Sequence, residues 1–570
     1  MFAKMEGSRT QPLQWRGMNW RRDGSILLIL IALGLAALDR GALAQTPPVD
    51  TLAPNVSSFV IALAIQADGR ILFGGGFSTV SNQTHVRLAR LSPDGLVESA
   101  FTAAANASVY ALAVQPDGKI LVGGDFNTLA GQTRIGLGRL TASGVLDTGF
   151  NPYVLTPPPG DTVTARAQAM VVQPDGKIVF GGRVSYNGGP TAGFLYRVNT
   201  NGTTDAGFSS GGIWGGPVAS LALQPDGRIL VGGLFSTVGN YTRYRLARLN
   251  ANGSLDTSFN AGFDSTVGSM VLSIALQADQ GILIGGVFSM VAGQYRTNLA
   301  RLNPDGGLDL AFNPGVPGSS ACVESLVIQA DGKILVGGIF NSLAGALHSR
   351  IGRLNSDGSP DNAFTAGASS DVYGLALQAD GKVLVGGYFT QLAGQPRSFI
   401  GRLNNLDAAA QSLNYDGATI TWMRSGSSCE VWRTTFDSST DGTNWAGLGD
   451  GTRIAGGWQL ASVALPPGAQ VRARGYTTGG GNNSSSWFIE TVWPPATPTI
   501  VTTNNLFGVR SNRFGFSIGG SSGSTVVVEG STNLTGWTPI ATNVLSSSAL
   551  YFCDSDCPNF QHRFYRVRLQ

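Results

Sequence analysis

Charged side chains and histidine are scarce in this 570-residue chain. Asp, Glu, Lys and Arg make up 13% of it, which excludes a protein built from long exposed helices, because such helices need these residues. Three histidines are too few for most histidine-based catalytic or metal sites, and no metal or phosphate-binding motif is present. The sequence therefore predicts no catalytic, cofactor-binding or metal-binding residues. Hydrophobic residues make up 42%, which predicts packed cores rather than disorder.

Cysteine is also rare, with four residues in the chain. No paired Cys-x-x-Cys spacing exists, which argues against a zinc site. Cys553 and Cys557 lie four positions apart in a turn-like segment, and in an oxidising compartment they are expected to form a local disulfide. Cys322 and Cys429 are expected to be buried thiols.

Residues 1–44 have the pattern of an export signal. A basic segment with Arg21 and Arg22 precedes the apolar run from Ile26 to Leu38, and Ala42-Leu43-Ala44 supplies a cleavage site. The alternative is a membrane anchor, but about 13 apolar residues are short for a span of about 20. The start is either Met1 or Met18. We expect the mature protein outside the cell or at its surface, with no membrane span after cleavage.

The mature chain has no net charge. Removing residues 1–44 leaves 32 basic and 32 acidic residues. A nucleic-acid partner calls for a strong basic excess, so nucleic acid is excluded as a partner.

A repeat dominates residues 46–407. Its core, as in Gln115-Pro116-Asp117-Gly118, is followed by an apolar run and Gly-Gly. The repeat aspartates are Asp68, Asp117, Asp175, Asp226, Asp279, Asp331 and Asp380, spaced 49 to 58 residues apart. Each copy predicts four short strands with tight turns, the fourth being Leu255–Phe259 in the clearest copy.

Nearly continuous apolar runs in the first two strands predict burial on both faces. Sheets stacked around a ring give that cover, and the repeat length is close to that of a propeller blade. We therefore predict an all-β protein with a seven-bladed β-propeller; an open β-solenoid is the alternative.

Two further patterns concern closure of the ring. An arginine lies 22 residues after each repeat aspartate, and six copies have an acidic residue eight positions later. The seventh copy has Ala410 there, whereas Asp50 precedes the first copy. We predict that the segment at Asp50 supplies the missing strand of blade seven, and that arginine and acid form a cross-strand ion pair in every blade.

The strings Gln-Pro-Asp-Gly-Lys-Ile-Leu-Val-Gly-Gly and Gly-Ser-Leu-Asp-Thr-Ser-Phe resemble the bacterial delta-60 repeat. The resemblance covers about residues 50–405 and implies a β-propeller in exported bacterial proteins, with no agreed activity. Copy three departs from the pattern at Val198 and in an insert around Pro157.

Two small β-sandwich-like domains are predicted after the repeats, over residues 410–495 and 496–570. Ser439–Trp445 parallels Ser531–Trp537, and each segment precedes a late basic strand. The second domain resembles a C-terminal module of exported proteins from Verrucomicrobia-like bacteria.

Two functions remain open. The first is a non-catalytic binding or scaffold protein that contacts a protein or a glycan, with an unknown oligomeric state. The basic positions five before the repeat arginine could form its binding ring; they are His85, Arg134, Arg243, Arg296, His348 and Arg397. These side chains could equally be structural, covering apolar edges with their stems.

The second function is a polysaccharide-active hydrolase or lyase of the propeller type. Such an enzyme needs carboxylates that converge on the central channel. The acids that break the repeat pattern are its candidates: Asp125, Asp161, Asp264 and Glu324.

Overall fold

A computed structural model describes residues 49–569, apart from 153–161, 267, 406, 467–468, 494–498, 502–506, 511–512, 520–524, 546–549, 555 and 557–562. The predicted signal segment, Asp161 and Cys557 lie outside the described residues. All regular elements in the described part are β-strands, which confirms the all-β prediction. In this part of the chain, no helix has the length and apolar character needed to cross a membrane.

Each of the seven repeats forms a three-stranded antiparallel sheet, which we call a blade. The inner strands are Val60–Ile65, Val109–Val114, Val163–Val172, Val218–Leu223, Met270–Leu276, Cys322–Ile328 and Val372–Leu377. The middle strands are Ile71–Gly75, Ile120–Gly124, Ile178–Tyr186, Ile229–Gly233, Ile282–Val287, Ile334–Ile339 and Val383–Gly387. The outer strands are Leu88–Leu91, Leu137–Leu140, Ala192–Val198, Leu246–Leu249, Leu299–Leu302, Ile351–Leu354 and Ile400–Leu403.

Short two-stranded ribbons connect the middle and outer strands in six blades. They pair Thr79–Val80 with Gln83–Thr84, Thr128–Leu129 with Gln132–Thr133, Thr237–Val238 with Tyr241–Thr242, Met290–Val291 with Gln294–Tyr295, Ser342–Leu343 with Ala346–Leu347, and Gln391–Leu392 with Gln395–Pro396. Ile213–Trp214 adds a strand to the ribbon of blade four. We call the end of the ring where the inner strands begin the front face. The back face, at the other end, carries the Asp-Gly turns.

The Gly-Gly pairs allow the blades to stack. A Cβ on Gly232 of blade four would lie 2.8 Å from Val271 of blade five, closer than any real contact. A Cβ on Gly386 of blade seven would likewise lie 3.0 Å from Val60 of blade one. Blade seven therefore packs against blade one, and the sheets form a closed ring rather than an open solenoid.

The segment at Asp50 closes the ring as predicted. Val49 pairs with Leu403, and the amide of Asp50 donates to the carbonyl of Arg402 over 2.8 Å. The Asp50 carboxylate accepts a bond of 2.9 Å from the Arg402 guanidinium. Burial alone would raise the pKa of Asp50, but the bonds and charge of Arg402 outweigh it and hold this pKa well below its usual range.

The predicted ion pair is present in all seven blades. The nitrogen–oxygen distances are 2.7 Å for Arg90–Glu98, 2.9 Å for Arg139–Asp147, 2.7 Å for Arg197–Asp205, 2.8 Å for Arg248–Asp256, 2.7 Å for Arg301–Asp309, 2.8 Å for Arg353–Asp361 and 2.9 Å for Arg402–Asp50. The same guanidinium also reaches the second turn of the following blade: Arg248 donates to the Pro304 carbonyl over 2.6 Å, and Arg402 donates to Pro93 of blade one over 2.9 Å. Each arginine thus joins its own blade to the next.

The fourth strand is shorter than predicted. In blade four it consists of a single bridge, Leu249 to Leu255. The chain turns immediately afterwards, because Asp256 accepts the amide of Ser258 through Oδ1 and the amide of Phe259 through its carbonyl. Phe259 then lies under the Arg248 guanidinium, 4.5 Å from its carbon to the ring centre. The turn, and not an extended strand, brings acid and aromatic ring to the arginine.

Residues after the ring form two pairs of sheets. In the first pair, one sheet contains Ala409–Tyr415, Ile420–Gly426, Thr452–Ile454 and Gly457–Leu460, and the other contains Arg433–Ser439, Ala446–Asp450, Gln470–Gly481 and Ser485–Trp493. Trp422 and Phe436 are buried between these two sheets. In the second pair, one sheet contains Thr499–Val501, Gly508–Arg510, Arg513–Gly519 and Leu550–Asp554, and the other contains Thr525–Ser531, Thr538–Val544 and Phe564–Leu569.

The parallel motif predicted in both segments forms the same turn twice. Ser439 Oγ accepts the amide of Gly442, and Ser531 Oγ accepts the amide of Leu534, each over 2.9 Å. The tryptophan that ends the motif then packs on an arginine of the late basic strand, with Trp445 under Arg472 at 4.4 Å and Trp537 under Arg566 at 4.5 Å.

A hairpin from the first of these sandwiches fills the channel of the propeller. It is formed by Gln470–Gly481 and Ser485–Trp493, and we call its small-residue end, 477–486, the plug. The sandwich that carries this hairpin contacts the back face of blade six, where the backbone amide of Glu430 donates to the Ile328 carbonyl over 2.9 Å. The plug runs from there to the front face, where the amide of Asn482 donates to the Glu324 carbonyl over 2.9 Å.

The plug pairs with inner-strand edges that would otherwise be open. Gly480 and Gly481 form a ladder with blade seven, and Ser486 pairs with blade two. Asn483 bonds blade six through both the amide and the carbonyl of Leu326, and it also donates to Ile274 of blade five. An unpaired edge costs stability and invites aggregation, so one hairpin stabilises four blades at once.

Candidate binding face at the front of the ring

The inner strand of every blade has a β-bulge near its start. The register shifts across one residue, seven positions before the repeat aspartate. The bulged residues are Ile61, Tyr110, Gln168, Ala219, Leu272, Glu324 and Tyr373. A bulge redirects a side chain away from the regular alternation, and these seven surround the tip of the plug.

We call these seven residues the bulge ring. Their residue type differs from blade to blade, whereas the residue before each of them is nearly constant. The preceding residue is Ala167 in copy three and Val in the other six copies, and it is buried in all of them. The bulged residue, by contrast, is aliphatic, aromatic, amide or acidic depending on the blade. Ala219 and Leu272 are buried, whereas the other five bulged residues are half-buried and so reach solvent. A varied, solvent-accessible position beside a constant core position is typical of a surface used for contacts.

Blades six and seven form the acidic side of the front face. Glu324 accepts a bond of 3.3 Å from the Cys322 thiol, and Asp371 lies 3.8 Å from Arg350. Burial, aided by the charge of Asp371, raises the pKa of Glu324 to about 6. Burial and the same carboxylates raise the pKa of Tyr373 to about 12. Part of this side therefore changes charge near neutral pH.

Blades two and three form the opposite side. Arg166 holds Asp125 through two bonds of 2.6 Å, and its guanidinium lies 4.0 Å from the ring centre of Tyr110. Arg183, directly opposite Arg166 on the middle strand of blade three, is exposed. Blades two and three thus carry two guanidinium groups against one carboxylate, that of Asp125, whereas blades six and seven carry two carboxylates against one guanidinium, that of Arg350.

The plug leaves little empty volume in the channel. Two cavities of about 30 and 60 Å³ remain beside it, each bordered by Trp432 and Thr477. These volumes suit water and no larger ligand.

The predicted basic ring is placed at the outer part of the blades, where most of its members are buried. His85, Arg134, Arg296 and His348 are less than a tenth exposed, and burial lowers the pKa of both histidines. The four arginines donate to backbone carbonyls, such as Arg296 to Leu310 over 3.1 Å and Arg397 to Asp50 over 2.6 Å. Their stems fit beside small residues: a Cβ on Gly138 would lie 3.4 Å from Cγ of Arg134. This geometry favours the structural interpretation of the ring.

The acids that break the repeat have separate surroundings. Asp125 is paired with Arg166, as described above. Asp264 caps its own turn by accepting the amide of Thr266 over 3.0 Å. Glu324 is the one that the bulge places at the plug tip, whereas Asp161 lies outside the described residues.

The repeat aspartates act as turn caps. Each accepts, through Oδ1, the amide two residues later over 2.9 to 3.1 Å. This is the turn chemistry expected of Asp before Gly. Within the described ranges, His, Cys, Asp and Glu form no group of three or more suited to a metal ion.

The cysteine predictions have two outcomes. Cys322 and Cys429 are buried free thiols, as predicted. Cys553 is exposed, and because Cys557 lies outside the described residues, their disulfide stays a prediction.

Sequence reasoning missed both the bulge ring and the plug. The bulge position could have been found by aligning the seven copies, because it is the varied residue inside an apolar run. The plug had a weaker signal, a run of Thr, Gly, Asn and Ser between two strands, Thr477–Ser486. Such a run has no apolar side to indicate where it packs.

Two solved structures are weakly similar to this chain. A chain described as a glycoside hydrolase matches with a TM-score of 0.23 and 12% identity, over 81% of this chain and 94% of that chain. An E. coli alpha-2-macroglobulin matches with a TM-score of 0.10 and 12% identity, over 90% of this chain and 34% of that one. Scores this low carry no argument about fold or function. No curated protein matches the chain.

The repeats themselves match a family of proteins. Seven segments match the family described as "Domain of unknown function (DUF5122) beta-propeller": residues 66–101, 115–150, 173–208, 224–259, 277–312, 329–364 and 378–407. This match confirms the delta-60-type repeat and the number of copies. The repeat region of this chain, residues 66–407, belongs to the DUF5122 β-propeller family.

Proposed function

We propose that this chain is an exported, non-catalytic binding or scaffold protein whose propeller contacts a protein or a glycan through its front face. The observation that carries the proposal is the bulge ring, in which five varied and half-buried side chains stand on a constant scaffold around the plug. The filled channel adds support, because it leaves no deep pocket in the place where propeller enzymes are expected to hold their carboxylates.

The test is a binding screen with the mature chain. Residues 45–570 are screened against a panel of glycans and against cell-surface extracts. The double variant Arg183→Ser and Tyr388→Ser removes two exposed groups of the front face, where Tyr388 is 53% exposed. Leu96→Ser, on the back face at 71% exposure, is the matched control. We expect the front variant to lose the ligand and the control to keep it; equal binding by both variants would refute the use of this face.

One observation favours a second candidate, a polysaccharide-active enzyme. Burial raises the pKa of Glu324, which lies near the carboxyl group of Asp371, and an acid–base pair of carboxylates needs environments that separate the two groups. If the chain cleaves any polysaccharide in the screen, Glu324→Gln should abolish the cleavage without loss of folding. Cleavage that persists in this variant would exclude Glu324 as the acid.

A further inference from the structure

The linkers that enter three of the blades are hydrogen-bonded to the ribbons at the front face. The residue eleven positions before the repeat aspartate accepts two ribbon amides over about 3 Å in three blades. These residues are Ser57, Asn106 and Ser369. These two hydrogen bonds hold the linker against the ribbon.

Blade five breaks this pattern. Gly268 occupies the sealing position and has no side chain to accept the amides. The linker is also longer, with 20 positions from Phe259 to Asp279 against 16 from Phe101 to Asp117. The linker into blade six is longer as well, with 19 positions from Phe312 to Asp331.

These two departures open a cleft of about 580 Å³ between blades five and six. The volume falls in the range of small-molecule sites. Its border includes the ring of Tyr295, which is 68% exposed, and the aliphatic side chain of Val287. Hydroxyl groups complete it, from Ser269, Ser289, Thr297 and Ser319.

No charged side chain borders the cleft among the described residues. The Arg245 guanidinium is buried behind Ser269 and donates to the Ser269 hydroxyl and to the carbonyls of Leu234 and Thr266. Its hydrogen bonds hold the Ser269 hydroxyl in place, and burial lowers its pKa. The cleft therefore favours an uncharged ligand.

Tyr295 is particular to this blade. The corresponding ribbon residues of the other five ribbon-bearing blades are Thr84, Thr133, Thr242, Leu347 and Pro396. An exposed aromatic ring offers an apolar platform with a polar edge, and the surrounding hydroxyls can both donate and accept. A sugar ring has the matching chemistry, with an apolar C–H face and hydroxyls around its edge.

We propose that the cleft between blades five and six binds a neutral saccharide, stacked on Tyr295 and hydrogen-bonded by Ser289, Thr297 and Ser319. The proposal rests on the binding role inferred above and names a ligand class for one part of the front face. A neutral oligosaccharide is favoured over a peptide because the cleft has no charged group to fix peptide termini or side chains.

The experiment measures the affinity of the mature chain for neutral and anionic oligosaccharides and for a peptide library. Tyr295→Ala removes the platform, and Tyr295→Trp keeps an aromatic ring there. Tyr241→Ala is the matched control, because Tyr241 is a 52% exposed ribbon tyrosine of blade four that does not border the cleft. We expect a neutral oligosaccharide to bind at least about tenfold more weakly to Tyr295→Ala, with Tyr295→Trp and Tyr241→Ala close to wild type.

The outcomes separate the cleft from the wider binding role. Saccharide binding that is lost in the Arg183→Ser, Tyr388→Ser variant but kept in Tyr295→Ala would overturn the cleft and leave the front face in place. Binding of anionic saccharides or peptides only would also overturn the cleft. Absence of any ligand for the whole chain would count against both proposals.

Discussion

In every blade the repeat arginine pairs with its acid and bonds the next blade, and we call this arrangement the clamp. The substitution Arg248→Ala tests it. The side chains of Arg248 and Asp256 are 6% and 9% exposed, and the pair is joined over 2.8 Å. Removing one partner of a buried pair costs about 3–5 kcal/mol. In this variant the Asp256 carboxylate still accepts hydrogen bonds from the amide and the hydroxyl of Ser258, and Arg228 lies 3.7 Å from it. We therefore expect a loss at the lower end of this range, about 3 kcal/mol.

The same loss can be expressed as a melting temperature. A ring of about 350 residues has an unfolding entropy of about 0.7 kcal/mol/K, so about 3 kcal/mol corresponds to a decrease of about 4 °C. The chain offers a matched control in blade five, where Arg301 and Asp309 form the same pair with side chains 18% and 21% exposed. Because solvent screens that pair more strongly, we expect Arg301→Ala to cost about 1 kcal/mol.

A double-mutant cycle separates the ion pair from the other contacts of the arginine. Arg248 also bonds the Pro304 carbonyl and covers Phe259, and both contacts remain when Asp256 alone is replaced by Ala. We expect a coupling of about 2 kcal/mol between the two positions, measured by denaturant unfolding. Coupling near zero, or equal losses for Arg248→Ala and Arg301→Ala, would refute the reasoning.

Four further predictions concern acid stability, ring closure, the plug and export. The clamp carboxylates have lowered pKa values, Asp205 to about 2 mainly through its bond from Lys177, so their stabilisation is complete above about pH 5. It should disappear as the pH falls towards 2, and a flat melting temperature over that range would contradict this. Deleting residues 46–55 removes Val49 and Asp50 from blade seven; we expect a lower melting temperature and more aggregation, and an unchanged one would mean that the ring closes otherwise. Asn483→Ala leaves buried groups of Leu326 and Ile274 unpaired and should cost about 2–3 kcal/mol in denaturant unfolding, with Asn482→Gly nearly neutral; equal effects would argue against the side-chain bonds. N-terminal sequencing of the exported protein should give Gln45, and an intact Met1 or Met18 would contradict cleavage after Ala44.

The ring could be predicted because its determinants are local. An arginine and an acid eight residues apart, on either side of a tight turn, meet whatever the rest of the chain does. The displaced acid, Asp50 instead of a residue at Ala410, then indicated which segment closes blade seven. The length of the fourth strand could not be predicted, because Asp256 both pairs with Arg248 and caps a turn, and only the structure shows that the turn forms at once.

The predicted basic ring shows what regular spacing alone could not predict. The spacing of Arg134, Arg243, Arg296 and Arg397 is as regular as that of the repeat arginines, and regular spacing alone suggests a shared surface. Whether the side chains point out or fold inward depends on the room beside them. A small residue, Ala or Gly, precedes the repeat arginine in six copies and leaves that room. The relevant signal was therefore the missing side chain next to the arginine.

The plug makes an almost seven-fold ring asymmetric. Seven similar blades present similar inner edges, yet the hairpin forms a ladder only with blade seven, a single pair with blade two and side-chain bonds with blades five and six. The acidic side, the guanidinium side and the cleft therefore have fixed positions relative to one sandwich. Because five of the seven bulged residues are only half-buried, substitutions at those five should change what the face binds at little cost in stability. A partner would contact this asymmetric arrangement of side chains, whereas the symmetric clamp beneath it would hold the arrangement in place.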